Sequence, residues 1–281
     1  MSESPEKRLF RDPAALAAGV VLGAIVAGAI LAPWLAPHDP YATSRQALLP
    51  PMWELRGKPS FPLGTDGQGR DLLSRLLFGT RITLMIGLVS VTLGGALGMA
   101  VGMLAAFYRR LDAPLMRLVD VVLSFPAILF GLAFSAVFGA GLTPVVAALV
   151  IATVPDTARI TRGVALGIAR QDYMEGGRAI GLGDLTLLRR YLARNCLPSV
   201  FVFLTLRFGQ VVLLGAGLSF LGLGVRPPTA ELGMMASQGR DFLFLAPHVA
   251  TIPSLAIFVI VLAANLLGDA LRDALDPRLR S

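Results

Sequence analysis

The chain has 281 residues, 55% hydrophobic and only 15% charged, with a mean hydropathy of +0.70. Soluble domains carry nearer a quarter of charged residues, so the composition excludes an ordinary soluble enzyme and points to a membrane chain. One cysteine, Cys196, excludes a disulfide framework and a Cys-based metal cluster, and two histidines, His38 and His248, leave little for metal or acid–base chemistry.

Charge is missing from whole stretches, residues 13–38, 82–108, 121–155, 208–225 and 242–268, and runs of that length read as membrane spans. The first span, 14–36, follows Lys7, Arg8 and Arg11. It is longer than a signal-peptide apolar core and no small-residue cleavage site follows it, so it is expected to remain as an anchor behind a cytoplasmic tail, 1–13. Residues 37–79 form an outer loop. The second span occupies 82–108, and Arg109 and Arg110 mark its end as cytoplasmic.

The run 121–155 is too long for one span, and Arg117 before it and Arg159, Arg162 and Arg170 after it place both flanks inside. The chain must therefore cross twice. Gly139-Ala140-Gly141-Leu142-Thr143-Pro144 supplies the turn, predicting a third helix over 115–138 and a fourth over 144–164. A fifth over 198–221 and a sixth over 248–268 precede a cytoplasmic tail, 271–281. Sixteen of the 25 Lys and Arg then lie inside, eight outside, and Arg207 alone within a span. The net charge of +7 is read as this orientation signal rather than as a nucleic-acid footprint. The expected fold is all-α, a polytopic membrane protein with six transmembrane helices and both termini cytoplasmic, its core spanning 80–270.

The two lysines, Lys7 and Lys58, sit in no Gly-rich phosphate loop, so the chain is not expected to hydrolyse ATP itself. Asp112, Asp120, Asp156 and Asp269 all fall at or near predicted helix ends, unlike the mid-membrane carboxylates of an ion-coupled carrier. His248 reads as interfacial rather than catalytic, and no cofactor or metal is expected. Gly94, Gly98 and Gly102 share one helix face, as do Gly19 and Gly23. Such spacing serves packing within one subunit or an interface between subunits. Arg207 either lines a polar pathway with Gln210 or pairs with a helix-end acid. The segment 169–193 reads as an elbow: a short helix before Gly181, a turn at Gly181 and Gly183, and a second helix capped by Asp184.

Within the elbow, Glu175-Gly176-Gly177-Arg178-Ala179-Ile180-Gly181 resembles the Glu-Ala-Ala…Gly motif of permease subunits of binding-protein-dependent ABC importers. Phe61-Pro62-Leu63-Gly64-Thr65-Asp66-Gly67-Gln68-Gly69-Arg70-Asp71-Leu72-Leu73-Ser74-Arg75 and Leu218-Ser219-Phe220-Leu221-Gly222-Leu223-Gly224-Val225-Arg226-Pro227-Pro228 are similar to the dipeptide, oligopeptide and nickel branch, C-type subunit, as is the ending from Asn265 to Arg278. Gly176 and Gly177 replace the motif's two alanines, and Tyr191-Leu192-Ala193-Arg194 departs from its following hydrophobic-x-Leu-Pro. The resemblance implies a type I ABC importer permease fold in a bacterial inner membrane. Its implied partners are a B-type permease, two ATPase subunits, a periplasmic or lipid-anchored binding protein and membrane lipid, with no nucleic acid. Asp172, Tyr173, Glu175, Gly176, Gly177, Arg178 and Gly181 would carry ATPase coupling. The outer loop would touch the binding protein or partner permease, or serve only as a connector. Peptides are the implied solute, with nickel, glutathione or opines as alternatives. The rival of another class is a stand-alone secondary carrier or channel.

Overall fold

The computed structural model describes residues 12–275. Lys7, Arg8, Arg11, Arg278 and Arg280, on which the cytoplasmic placement of both ends rests, lie outside the described residues. The described chain is helical, with one isolated β-bridge, Thr65 to Asp71. In chain order the helices are α1 (Pro13–Ile30), α2 (Ala32–Leu35), α3 (Leu72–Phe107), α4 (Arg109–Leu123), α5 (Ala127–Phe138), α6 (Leu142–Ile168) and α7 (Asp172–Ala179). They continue with α8 (Asp184–Phe220), α9 (Leu232–Gly239) and α10 (His248–Leu275).

Five of these, α1, α3, α6, α8 and α10, are each long and apolar enough to cross a bilayer. α4 and α5 are long and apolar enough for a sixth crossing only when taken together as a bent pair. α4 and α5 meet at 83°, where Pro126 has no N–H to continue the ladder and Ser124 Oγ turns back onto the Val121 carbonyl at 2.7 Å. At 1.5 Å per residue neither half reaches across a hydrocarbon core of about 30 Å alone, so the straight helix expected over 115–138 is replaced by a bent pair.

α3 starts at Leu72, well before the charge-free run that begins at Ile82. Asp71 caps it by accepting from the Ser74 N–H at 2.9 Å. Its outer turns carry Arg75 and Arg81, and Arg75 is almost wholly buried because its Nη1 donates to the carbonyls of Pro40 (3.1 Å) and Pro228 (3.3 Å). A charge-based boundary therefore falls too late.

Three apolar clusters follow one another along α3. The first, at the start of α3, joins Leu72 to Val212, Leu232 and Ile257; the middle one joins Ile86 and Val91 to Val145, Leu149 and Leu218; and the last, at its end, joins Met99, Met103 and Phe107 to Ala165, Leu192 and Cys196. The middle and last of them depend on a close approach of α3 to α6. A β-carbon on Gly94 would lie 2.7 Å from Thr153 Cβ, on Gly98 2.6 Å from Thr157 Cβ, and on Gly102 2.4 Å from the Ala158 carbonyl oxygen. The glycine stripe thus packs within one subunit, against a stripe of buried threonines, Thr153, Thr157 and Thr161. Thr153 and Thr157 bond their own helix at Leu149 (2.7 Å) and Thr153 (2.9 Å). Gly19 and Gly23 are not part of any such contact; nothing would approach a β-carbon on Gly23.

Gly98→Leu is therefore expected to destabilise the chain by at least about 2 kcal/mol, because overpacking against fixed backbone outweighs a helix-propensity gain of about 1 kcal/mol. Gly163→Ala in α6, where a β-carbon meets nothing, should be neutral or slightly stabilising. Thermal unfolding midpoints of the two variants in one detergent check both signs.

Candidate functional site

The elbow residues come together as one structural unit. α7 takes residues 172–179 and places Asp172 and Glu175 in its first turn and Arg178 in its last, each favourable to the helix dipole. The helix ends on Gly181, whose φ of +80° is open to glycine at little cost. There the Gly181 N–H donates to Arg178 O and the Leu182 N–H to Gly177 O, both at 3.0 Å. Gly183 needs no such freedom: at φ −67° and ψ 151° it is extended and serves as N-cap of α8. The cap expected from Asp184 is thus absent: Asp184 is instead the first residue inside α8.

The second helix of the elbow is not separate from the fifth span. From Asp184 the chain runs unbroken to Phe220, with a π-helical segment at Leu187–Ala193. That segment spans the Tyr191-Leu192-Ala193 departure from the family motif, and it buries both Leu187 and Leu192 completely. Gly177 is buried against Leu187, where a β-carbon would come within 2.9 Å of its Cδ2, whereas Gly176 faces open space. The two glycines at the alanine positions therefore differ: one sits at a helix contact and the other does not.

Beneath the elbow, Met174 is fully buried, Tyr173 stacks on Tyr191 with centroids 6.3 Å apart, and the Arg178 guanidinium lies 5.7 Å from the Phe107 ring centre. Arg162 forms a bidentate pair with Asp112 (2.5 and 2.6 Å) and Arg159 reaches Asp120 at 2.6 Å, tying α6 to α4 beside it. The outward side is left free: Tyr173, Glu175, Ile180 and Leu185 are all exposed. The elbow is thus a rigid protrusion that packs on the inner ends of α3 and α8 and presents apolar side chains to the outside.

Arg207 lies in α8 and faces α6. Its Nη2 contacts Asp156 Oδ2 at 2.9 Å and the Ala152 carbonyl at 3.1 Å, and its Nη1 donates to Gln210 Oε1 at 2.8 Å. Of the two alternatives for Arg207, the pairing with an acid is the one these contacts describe, and Gln210 binds the same guanidinium. Asp156 corrects the expectation of a helix-end position: it sits midway along α6, next to Pro155.

A second polar cluster, around the start of α3, was not singled out from the sequence. Asp66 Oδ2 takes Arg70 Nε at 2.7 Å and Arg75 Nε at 3.3 Å. Glu231 caps α9, its Oε1 accepting from Gly233 N–H and Thr83 Oγ1 at 3.0 Å and its Oε2 from Met234 N–H at 2.9 Å. These buried groups clamp the outer loop, α3 and the α8–α9 connection into one body. The only sequence signal was the density of charge in 66–75, a segment otherwise used for its resemblance. His38 stacks on Phe61 at 4.7 Å with its Nδ1 3.7 Å from Asp71 Oδ2, and His248 is buried at the start of α10.

Residues 98–281 match the family model described as binding-protein-dependent transport system inner membrane component. Residues 7–51 match the N-terminal TM domain of oligopeptide transport permease C. A glutathione transport system permease protein of Pectobacterium atrosepticum is 41% identical, the match covering 98% of this chain and 90% of that protein. A di/tripeptide transport system permease protein of Pseudomonas aeruginosa is 44% identical over 92% of this chain and 86% of its own length. Among solved structures, an inward-facing form of the MetNI methionine ABC transporter aligns with a TM-score of 0.59 at 21% identity, covering 72% of this chain and 97% of the matched chain; that likeness is one of fold.

Proposed function

We propose, on the premise that the chain belongs to the family of binding-protein-dependent transport system inner membrane components, that it forms half of the membrane pathway of a peptide importer. The chain is an inner-membrane ABC importer permease, and such a permease works with a second permease, ATPase subunits and a binding protein. In this reading one B-type permease completes the pathway, two ATPase subunits dock on the elbows, and a binding protein delivers solute to the outer face. Both termini lie in the cytoplasm, on the Arg-rich side. No residue here does covalent chemistry, and ATP is hydrolysed in the partners.

The observation that carries the coupling role is the elbow's double character, fixed below and apolar above. Because α8 leaves the elbow without a break, a push on α7 acts on a helix that runs about 55 Å through the subunit at 1.5 Å per residue. The last apolar cluster links that helix to α3 and α6. Nucleotide binding elsewhere can then switch the spans as packed bodies between two arrangements. The Arg207, Asp156 and Gln210 cluster gives the pathway a polar point on α8.

Peptides, dipeptides and oligopeptides, are the solutes this reading assigns, supported by the di/tripeptide and dipeptide permeases among relatives at 40–44% identity. The assembled complex in proteoliposomes, with its binding protein, should accumulate a labelled dipeptide on addition of ATP. Nickel, glutathione and an opine run in parallel define the solute. Uptake that survives ATP depletion and collapses with the ion gradient would identify a secondary carrier and overturn the proposal.

A further inference from the structure

The outer loop contains a closed excursion over residues 51–62. Its ends meet where the Met52 N–H donates to Pro62 O at 3.1 Å, and turns at Glu54 N–H to Pro51 O (2.9 Å) and Gly57 N–H to Glu54 O (2.8 Å) fix its shape. Gly57 is required there, because a β-carbon would fall 2.0 Å from the Pro51 carbonyl oxygen. This compact loop turns Met52, Trp53 and Leu55 outward, with Trp53 65% exposed and Leu55 fully so. Arg56 and Lys58 flank them and are also exposed.

Trp53 is also the rim of a groove of about 640 Å³ whose walls are membrane helices. Ala24 and Ile25 of α1, Leu77 of α3, and Leu255 and Val259 of α10 line it. α1 is peripheral, packing on α10 and α3 and leaving most of its surface uncovered. Within two turns beyond the groove its direction continues into α2, where Leu35 and Trp34 are exposed, Trp34 by 77%. The chain's two tryptophans, Trp34 and Trp53, thus both stand unburied at the outer end of the peripheral span. Tryptophan concentrates at the membrane–water interface, where the ring sits at headgroup level, and basic side chains beside it attract lipid phosphate.

We propose that the loop over residues 51–62 and the groove beneath Trp53 form a binding site for a phospholipid of the outer leaflet. Its acyl chain lies between α1 and α10 under the Trp53 ring, and its phosphate lies at Arg56 and Lys58. Only 17% of α1 is buried, the groove walls are apolar side chains of α1, α3 and α10, and two exposed cations stand beside its Trp53; an apolar trough next to basic groups matches the two ends of a phospholipid, which selects lipid over a protein partner as the occupant. The site rests on the orientation given above, with the segment between α1 and α3 outside.

The test uses the assembled complex in nanodiscs of phosphatidylcholine and phosphatidylglycerol, with Leu55→Cys carrying a bimane label. Buried Cys196 makes the unmutated chain the labelling blank, and the partner subunits are stripped of reactive cysteines. The expected result is a label several-fold less accessible to iodide than the same label on a soluble thiol, and strongly quenched by lipid with a nitroxide near its headgroup. Arg56→Gln with Lys58→Gln should remove any preference for nitroxide-labelled phosphatidylglycerol over phosphatidylcholine. Iodide quenching equal to that of the soluble thiol would overturn the site. Shielding from iodide and nitroxide lipid alike would mean that a protein subunit covers the loop, and would overturn it too. Met52→Cys supplies a second labelling position should Leu55→Cys fail to assemble. ATPase turnover stimulated by the binding protein, measured on the same discs, separates failure of this site from failure of the importer reading.

Discussion

Ile180→Asp combined with Leu185→Asp is expected to strip the ATPase subunits from the purified complex while leaving the amount of the chain in the membrane unchanged. These side chains are 76% and 66% exposed on the elbow, so replacing them removes little from the folded chain. If each is buried in an ATPase groove, it contributes about 1.5–3 kcal/mol there. Losing both removes at least about 3 kcal/mol, roughly a hundredfold in affinity, and a carboxylate placed in an apolar socket adds its own desolvation cost. ATP-driven uptake should fall at least about tenfold. Deleting residues 172–185 outright should abolish ATPase association while the spans still insert, but it also removes buried Met174 and so should lower the amount of folded protein. The opposite face behaves differently. Met174→Ala opens a cavity at a fully buried position, is expected to cost about 2–5 kcal/mol, and should lower the amount of folded protein. Co-purification of ATPase with each variant, at matched membrane levels, separates the two faces. Undiminished association in the Asp double variant would overturn the docking role.

The elbow was legible because its residues announce their backbone roles locally: Gly181 marks a left-handed turn, and charges of the right sign sit at the two ends of α7. The spans were legible for the same kind of reason, since each needs only an uninterrupted apolar run. What was hidden depends on partners far away in sequence. Arg75 reads as a loop charge until its bonds to the carbonyls of Pro40 and Pro228, 35 and 153 positions away, are seen, and only then can α3 begin at Leu72. The break at Pro126 lay within an uncharged run, and a count of charges treats such a run as straight. Gly94, Gly98 and Gly102 declared a close helix contact but not with what; Thr153, Thr157 and Thr161 of α6 carry the same four-residue spacing, yet spacing alone does not say that these two stripes face one another. Asp156 was misjudged because it is the first charge after the uncharged run 121–155, and a charge at the edge of such a run reads as lying near a helix end, whereas α6 carries on through it to Ile168.

That misjudged acid leads to the other large expected effect. Arg207→Leu or Asp156→Leu alone should destabilise the chain by about 2–3 kcal/mol, since either leaves a single charge inside a helix bundle at membrane depth. The pair is not fully buried, with side chains 21% and 35% exposed, which places the effect below that of a completely enclosed ion pair. The double variant Arg207→Leu with Asp156→Leu removes both charges and should recover at least half of the loss, giving a favourable coupling in the double-mutant cycle. Gln210→Leu removes one hydrogen bond and should cost less than about 1 kcal/mol. Thermal midpoints of the four chains in the same detergent check these signs, and additive single losses would show that the two charges do not stabilise one another. Uptake then tells structure from pathway. If the pair acts only as a brace between α6 and α8, the doubly apolar chain transports in proportion to its recovered stability. If the polar cluster lines the path of the solute, stability returns and uptake does not, because the charge and the amide that a zwitterionic peptide would meet on α8 are no longer both present.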